Sequence, residues 1–187
     1  MRKLSSFTHV TLDGFFADNN SDMSWAHQGN DNAEWSAFVA GNAQGGGALV
    51  FGRVTYDMMA GYWPSSAARQ ANRIVAERMN ALPKIVFSRT LAKASWSNTT
   101  LVKGELLGAV KKLKAEAGPD MAILGSGSIV AQLAGAGLID DLQLVVNPLA
   151  LGKGKALFAG VKKPVSLKLT KSRTFGNGKV VLWYAPA

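Results

Sequence analysis

"MAILGSGSIVAQLAGAGLIDDLQLVVNP", residues 121–148, holds the pattern on which the fold turns. Four apolar residues at 121–124 are too few for a helix and read as a buried strand. The Gly125-Ser126-Gly127-Ser128 turn interrupts it. Residues 128–136 then read as a short helix capped by Ser128, and 141–148 as another strand. Strand, helix and strand in so short a span imply a crossover unit, which sets parallel strands in one sheet with helices over its faces.

The same alternation extends in both directions. Residues 3–12 read as a first strand. "ALVFG" (48–52) is a short buried strand that ends in Gly52-Arg53, and 84–88 is another that runs into Ser88-Arg89-Thr90. A helix is expected over 31–43, with Asp31 or Asn32 as N-cap, Trp35, Phe38 and Val39 on one face, and Gly45-Gly46-Gly47 as its stop. A second, over 69–82, places Ala71, Val75, Met79 and Leu82 on one stripe before Pro83. A third, over 104–119, turns Leu106, Val110, Leu113 and Ala117 inward. Near the end, 165–172 and 179–186 flank Phe175-Gly176-Asn177-Gly178, a hairpin signal, with Val165, Leu167 and Leu169 alternating against polar neighbours. The expectation is one domain over 1–187. It is α/β and three-layered (αβα), with a mixed, mostly parallel sheet and a C-terminal antiparallel hairpin.

Composition narrows the classes. The chain has 187 residues, 48% of them hydrophobic and 18% charged, which suits a packed core and argues against disorder. No apolar run is long enough to span a bilayer, and Thr8, His9, Thr11 and Asp13 interrupt the first apolar segment, a poor secretory leader. Without a targeting signal a cytoplasmic location is expected. There is no cysteine, so disulfides and thiolate metal sites are excluded. The net charge of +9 is uneven: residues 142–187 hold eight Lys/Arg and no carboxylate. That quarter reads as a solvated basic face. It lacks the interleaved aromatics of a single-strand nucleic-acid binder, so nucleic acid is not the expected partner.

The chemistry suggested is anion binding. In open α/β sheets ligands sit beyond the carboxyl ends of strands, near helix N-termini, where Gly52-Arg53, Ser88-Arg89 and Gly125-Ser126 all fall. Arginine's fixed fork of donors suits phosphate. The glycine turn is not a standard dinucleotide fingerprint: its sixth position is Val130, and no acid follows Asp141. "LGKGKALF" (151–158) lacks the P-loop spacing. There is no H-E-x-x-H or G-x-S-x-G, and His9 and His27 have no ligand spacing, so no metal is expected. Asp13, Asp18, Asp22, Asp31 and Glu34 supply carboxylates for loops, caps or one proton donor. Trp25 and Trp35 read either as walls for a flat ring or as core.

Taken together, "VTLDGFFA" (10–17), "VFGRVTYDMM" (50–59), "KIVFSRTL" (84–91) and residues 122–158 resemble the dihydrofolate reductase superfamily. The closer likeness is to the reductase domain of bacterial bifunctional riboflavin-biosynthesis deaminase-reductases and their stand-alone relatives. The resemblance implies an oxidoreductase that uses NADPH. Gly52, Arg53 and Thr55 would bind the cofactor, Ser88, Arg89 and Thr90 its adenosine 2′-phosphate end, and Gly125, Ser126, Gly127 and Ser128 its pyrophosphate. It implies that Asp13-Gly14 opens a mobile loop beside the nicotinamide, that Trp25 lies near the substrate, and that Asp31 or Glu34 stands near the family's catalytic carboxylate. The implied reaction is hydride transfer to a flat pterin- or pyrimidine-like heterocycle or a ribose-derived group, as in reductases of the dihydrofolate and 5-amino-6-(5-phosphoribosylamino)uracil types. The implied assembly is a homodimer. The deaminase zinc signature does not occur in the chain. The competing reading is a nucleotide-binding protein that keeps the fold without turnover.

Overall fold

In the computed structural model, which describes residues 1–45 and 47–187, the apolar runs become strands and the glycine-bounded segments between them helices. Gly46, the middle residue of the expected helix stop, lies outside the described residues. The strands are β1 Leu4–Thr11, β2 Phe15–Ala17, β3 Ala48–Gly52, β4 Lys84–Phe87, β5 Thr99–Val102, β6 Met121–Leu124, β7 Asp141–Asn147, β8 Lys155–Ala156, β9 Leu167–Thr174 and β10 Val180–Pro186. The helices are α1 Ala33–Gln44, α2 Arg53–Tyr62, α3 Ser66–Ala71, α4 Arg73–Ala81, α5 Leu106–Ala115 and α6 Gly127–Gly135, with a 3₁₀ turn at Ser24–His27.

Eight strands form one sheet in the order β5-β4-β3-β6-β1-β7-β10-β9, and β2 and β8 form a separate pair. From β5 to β7 every pairing is parallel, and β10 runs antiparallel to both its neighbours. The expected mixed, mostly parallel sheet with a terminal hairpin is therefore present. On one face Leu4, Val50, Ile85 and Ile123 pack against Val110 of α5 and Ile129, Val130 and Leu133 of α6. On the other, Leu49, Phe51 and Val86 meet Val75 and Met79 of α4. Farther along that face Val145 and Val181 pack beneath Trp35 of α1. Trp35 stands edge-on to Phe175 at 5.0 Å, and Phe38 lies 5.1 Å from the same ring, so α1 is fixed over the C-terminal hairpin.

Several local features differ from the sequence reading. The helix expected over 69–82 is two helices. Asn72 ends α3 and caps α4 through its side chain, which accepts from Val75 N at 3.1 Å; a capping asparagine competes with helix continuation. The helix α2 escapes the periodicity test because Val54, Met58 and Tyr62 face outward. At the sheet edge, β5 is polar at Thr99 and Thr100. The helix α5 ends at Ala115, which leaves Ala117 exposed rather than inward. The alternation at Val165, Leu167 and Leu169 is borne out in part: Leu167 packs against the core, whereas Leu169, on the outer edge strand β9, is exposed. Of the eight C-terminal cations, Lys179 is not part of a solvated face but is 1% exposed.

Candidate functional site

Because β4, β3 and β6 are neighbours, their carboxyl ends bring Ser88-Arg89-Thr90, Gly52-Arg53 and Gly125-Ser126 to one edge of the sheet. Two of these turns are tied directly. Ser126 Oγ accepts from Gly52 N at 2.8 Å, and Ser126 N donates to Thr55 Oγ1 at 3.2 Å. Gly125 and Ser126 both take left-handed backbone, at φ 57° and 55°. This geometry suits Gly125 and strains Ser126, a serine whose hydroxyl is committed to the neighbouring turn. Ser128 is not the cap: α6 begins at Gly127 after Ser126, and Ser128 lies exposed within its first turn.

The helix N-termini differ in a way that marks this edge. Among the described residues four helices carry a side-chain cap: Asn32 on α1, Ser65 on α3, Asn72 on α4 and Glu105 on α5. The other two, α2 and α6, have none, and both start at the strand-end turns just described. The positive dipole ends of both face the same edge without a side-chain cap, Ile129 N of α6 donating to the backbone Ser126 O at 2.8 Å, and such an end is the arrangement that receives an anion. Arg53 meanwhile pairs with Asp57 at 3.1 Å on the surface, and Arg89 and Thr90 are exposed. Ser88 Oγ accepts from Thr90 N and Leu91 N at 3.2 and 2.9 Å, which shapes the β4 turn.

The remaining sequence candidates have definite places. Asp13 clamps two loops: it accepts from Thr11 Oγ1 at 2.5 Å, Gly152 N at 2.7 Å and Leu151 N at 3.2 Å. The Thr11 hydroxyl foremost, then the Gly152 amide, hold its carboxyl below the usual range. Phe16, on β2, lies over the start of α6; a Cβ on Gly127 would come within 2.5 Å of its ring. Trp25 is buried in the 3₁₀ turn, with Nε1 lacking a partner. Glu34 is paired with Arg173 at 2.9 Å on the surface, and Asp31 is exposed in the turn before α1. Trp35 is core.

A polar patch missed by motif reasoning lies under α1. Lys179 Nζ donates to Ala26 O at 2.7 Å and to Asn30 Oδ1 at 3.3 Å, and sits 4.9 Å from the Trp35 ring centre. Burial lowers its ammonium to about 8. Beside it, His9 faces Asn147 Nδ2 at 3.4 Å through Nδ1. Burial, then the Lys179 charge, push its imidazole down to about 3. No spacing rule links residues 9, 147 and 179; only strand pairing does. A second buried lysine, Lys84, is structural: it donates to the carbonyls of Asn80, Leu82 and Ser97 and closes the end of α4. Two open clefts of about 730 and 530 Å³ lie elsewhere, along α4 by Arg73 and Glu77 and at the amino ends of β1, β6 and β7.

Comparison with known proteins agrees with this architecture. The family model described as the RibD C-terminal domain matches residues 2–181. The uncharacterized protein YyaP of Bacillus subtilis (strain 168) is 29% identical over 175 residues, 94% of this chain and 90% of that one. Among solved structures, a candidate riboflavin biosynthesis protein of Shewanella sp. PV-4 superposes with a TM-score of 0.73 at 24% identity, covering 99% of each chain. The diaminohydroxyphosphoribosylaminopyrimidine deaminase/5-amino-6-(5-phosphoribosylamino)uracil reductase of Thermotoga maritima gives 0.68 at 15% identity, over all of this chain and 57% of that one. These identities carry the fold. No helix among the described residues is long and apolar enough to cross a membrane.

Proposed function

The chain belongs to the RibD C-terminal domain family, and from that premise we propose that it is an NADPH-dependent reductase acting on a small flat heterocycle, pyrimidine-like in class. The observation that carries the reading is the pair of uncapped helix N-termini, α2 and α6, at one sheet edge beside Arg53 and Arg89. This donor set fits a phosphorylated nicotinamide nucleotide: backbone N–H groups for the pyrophosphate and guanidinium forks for a phosphate monoester. The bound nucleotide would supply the hydride; the chain supplies binding, orientation and charge complementarity.

Under this reading Gly125, Ser126, Gly127 and Ser128 hold the pyrophosphate, and Gly52, Arg53 and Thr55 support it from β3. Ser88, Arg89 and Thr90 take the 2′-phosphate end. Asp13 sets the position of the loop that carries Phe16 over α6, and Trp25 borders the acceptor. Glu34 is engaged by Arg173, which leaves Asp31 as the carboxylate for proton delivery. Residues 1–187 act as one reductase-like domain, and the exposed β9 edge is the surface expected to pair two copies.

Titration of tryptophan fluorescence tests the cofactor. NADPH is expected to bind at least tenfold more tightly than NADH, with the preference lost in Arg53→Ala or Arg89→Ala. Equal affinity for the two nucleotides would sink the proposal. The Glu34–Arg173 pair favours a second reading, nucleotide binding without turnover. Single-turnover oxidation of NADPH with a panel of pterins and pyrimidines separates the two, since stoichiometric oxidation by any of them eliminates a pure binder.

A further inference from the structure

Beyond the strand-end turns, His9, Asn147 and Lys179 form a polar patch on the α1 side of the sheet. In strand register Thr11 pairs with Asn147 and His9 with Val145, and Lys179 immediately precedes Val180, the partner of Val146. Gly125 N bonds Phe7 O at 3.1 Å, so His9 lies on β1 two residues beyond the point where the glycine turn leaves that strand. It therefore sits between the nucleotide edge and the α1 side of the sheet.

The protonation of His9 follows from its neighbour. Asn147 is 2% exposed, and its amide nitrogen donates to Val10 O and Val145 O, both at 3.0 Å, which settles which way the amide is turned. That NH₂ group faces His9 Nδ1 at 3.4 Å. Both N–H bonds of that group are committed to the two carbonyls and its nitrogen accepts none, so a proton on Nδ1 would face no acceptor, and the ring proton resides on Nε2. No described residue hydrogen-bonds to Nε2, and His9 as a residue is half-buried. A second proton would aim an N–H at the Asn147 amide. The titratable groups that bear on the ring, Lys179 from the hairpin and His27 from the 3₁₀ turn, both oppose a positive charge on it. Asn147 Oδ1, an acceptor, and Trp25 Nε1, a donor on the turn that Lys179 holds, are buried without a hydrogen-bond partner among the described residues.

Resting on the reductase reading, we infer that the neutral His9 imidazole binds the ligand directly, donating from Nε2–H to a carbonyl oxygen of a ring held on this side of the sheet. That oxygen belongs either to a nicotinamide carboxamide or to the acceptor heterocycle. Such a donor is independent of pH across the neutral range and places the ring without competing as a base.

The test is ¹⁵N NMR of histidine-labelled full-length protein. Alone, His9 should show the Nε2–H tautomer with no inflection between pH 5.5 and 8.5; an Nδ1–H pattern or a midpoint above pH 6 overturns the inference. NADP⁺ is then added, followed by uracil. A shift of Nε2 with NADP⁺ identifies the carboxamide, a shift only with uracil identifies the acceptor ring, and either supports the inference. No shift with either, while tryptophan quenching shows NADP⁺ bound, overturns it and leaves the reductase reading standing. Absence of NADP⁺ binding overturns both. His9→Phe should weaken the ligand that moved Nε2 by about tenfold, the loss of one hydrogen bond. His9→Gln, which can restore an N–H, should remain within about threefold of wild type. Wild-type affinity in His9→Phe refutes the role, and if that variant does not fold, the tautomer and His9→Gln decide.

Discussion

Removing the Ser126 hydroxyl tests whether the two helix-bearing turns are one unit. Ser126 is 9% exposed, and its Oγ is the acceptor for Gly52 N at 2.8 Å. In Ser126→Ala that N–H is left in a partly buried position without an acceptor, which costs about 1–3 kcal/mol. For a chain of this length each kcal/mol lowers the melting temperature by about 2–4 °C, so a fall of roughly 3–10 °C is expected. Ser126→Gly loses the same hydrogen bond but relieves the left-handed backbone at φ 55°, recovering about 1 kcal/mol. It should therefore melt roughly 2–4 °C above the alanine variant. Both variants should bind NADPH about tenfold more weakly, because the lost bond sets the spacing of the β3 and β6 turns. Thermal melts with and without NADPH, together with fluorescence titration, give all these quantities. An alanine variant within about 1 °C of wild type, well inside the expected fall, would refute the reasoning. So would a glycine variant that melts below the alanine one.

Three other outcomes are expected. Burial lowers both Lys84 and Lys179 from 10.5 to about 8. Between those values the unfolded chain binds more protons than the folded one, so these groups make stability rise with pH from 8 to 10.5 and leave it level at its lower value below 8, where both states are protonated. Denaturant titrations across that window should show a shallower rise in Lys84→Met and Lys179→Met than in wild type; equal slopes would contradict the burial argument. Gly127→Ala should destabilise by about 1–3 kcal/mol through collision with the Phe16 ring, and Phe16→Ala should rescue it in a double-mutant cycle of melts, whereas additive losses would show that the ring is not the obstacle. Breaking the exposed Arg53–Asp57 pair by Asp57→Ala should cost under about 1 kcal/mol of stability. It should also tighten NADPH binding two- to threefold in the fluorescence titration by freeing the guanidinium, about 0.5 kcal/mol; weaker binding would assign Asp57 itself to the site.

Each sequence signal succeeded where its cause was local. The run at 121–124 is a strand bounded by Gly125, and the hairpin at 175–178 follows from Gly178 at φ 81° with Gly178 N bonded to Phe175 O at 2.9 Å. Signals failed where tertiary contacts outweighed local preference. Asn72 splits a helical stripe because its cap is worth more than continuity. Leu169 alternates cleanly with Leu167, yet only Leu167 reaches the core, and Leu169 is exposed on the edge strand.

By itself the sequence determined that apolar strands end in glycine, serine and arginine, that helices alternate with them, and that the family resemblance names an oxidoreductase fold. These properties reside in short stretches of backbone and in side chains close together along the chain. Only the tertiary structure decided that the three turns are neighbours and that the two helices starting there are the uncapped ones. It also decided that Asp13 and Glu34 are already engaged, and that His9, Asn147 and Lys179 share one patch. Strand order is set by non-local pairing and burial, and the residues it brings together are as far apart in sequence as 9 and 179, beyond the reach of any spacing rule.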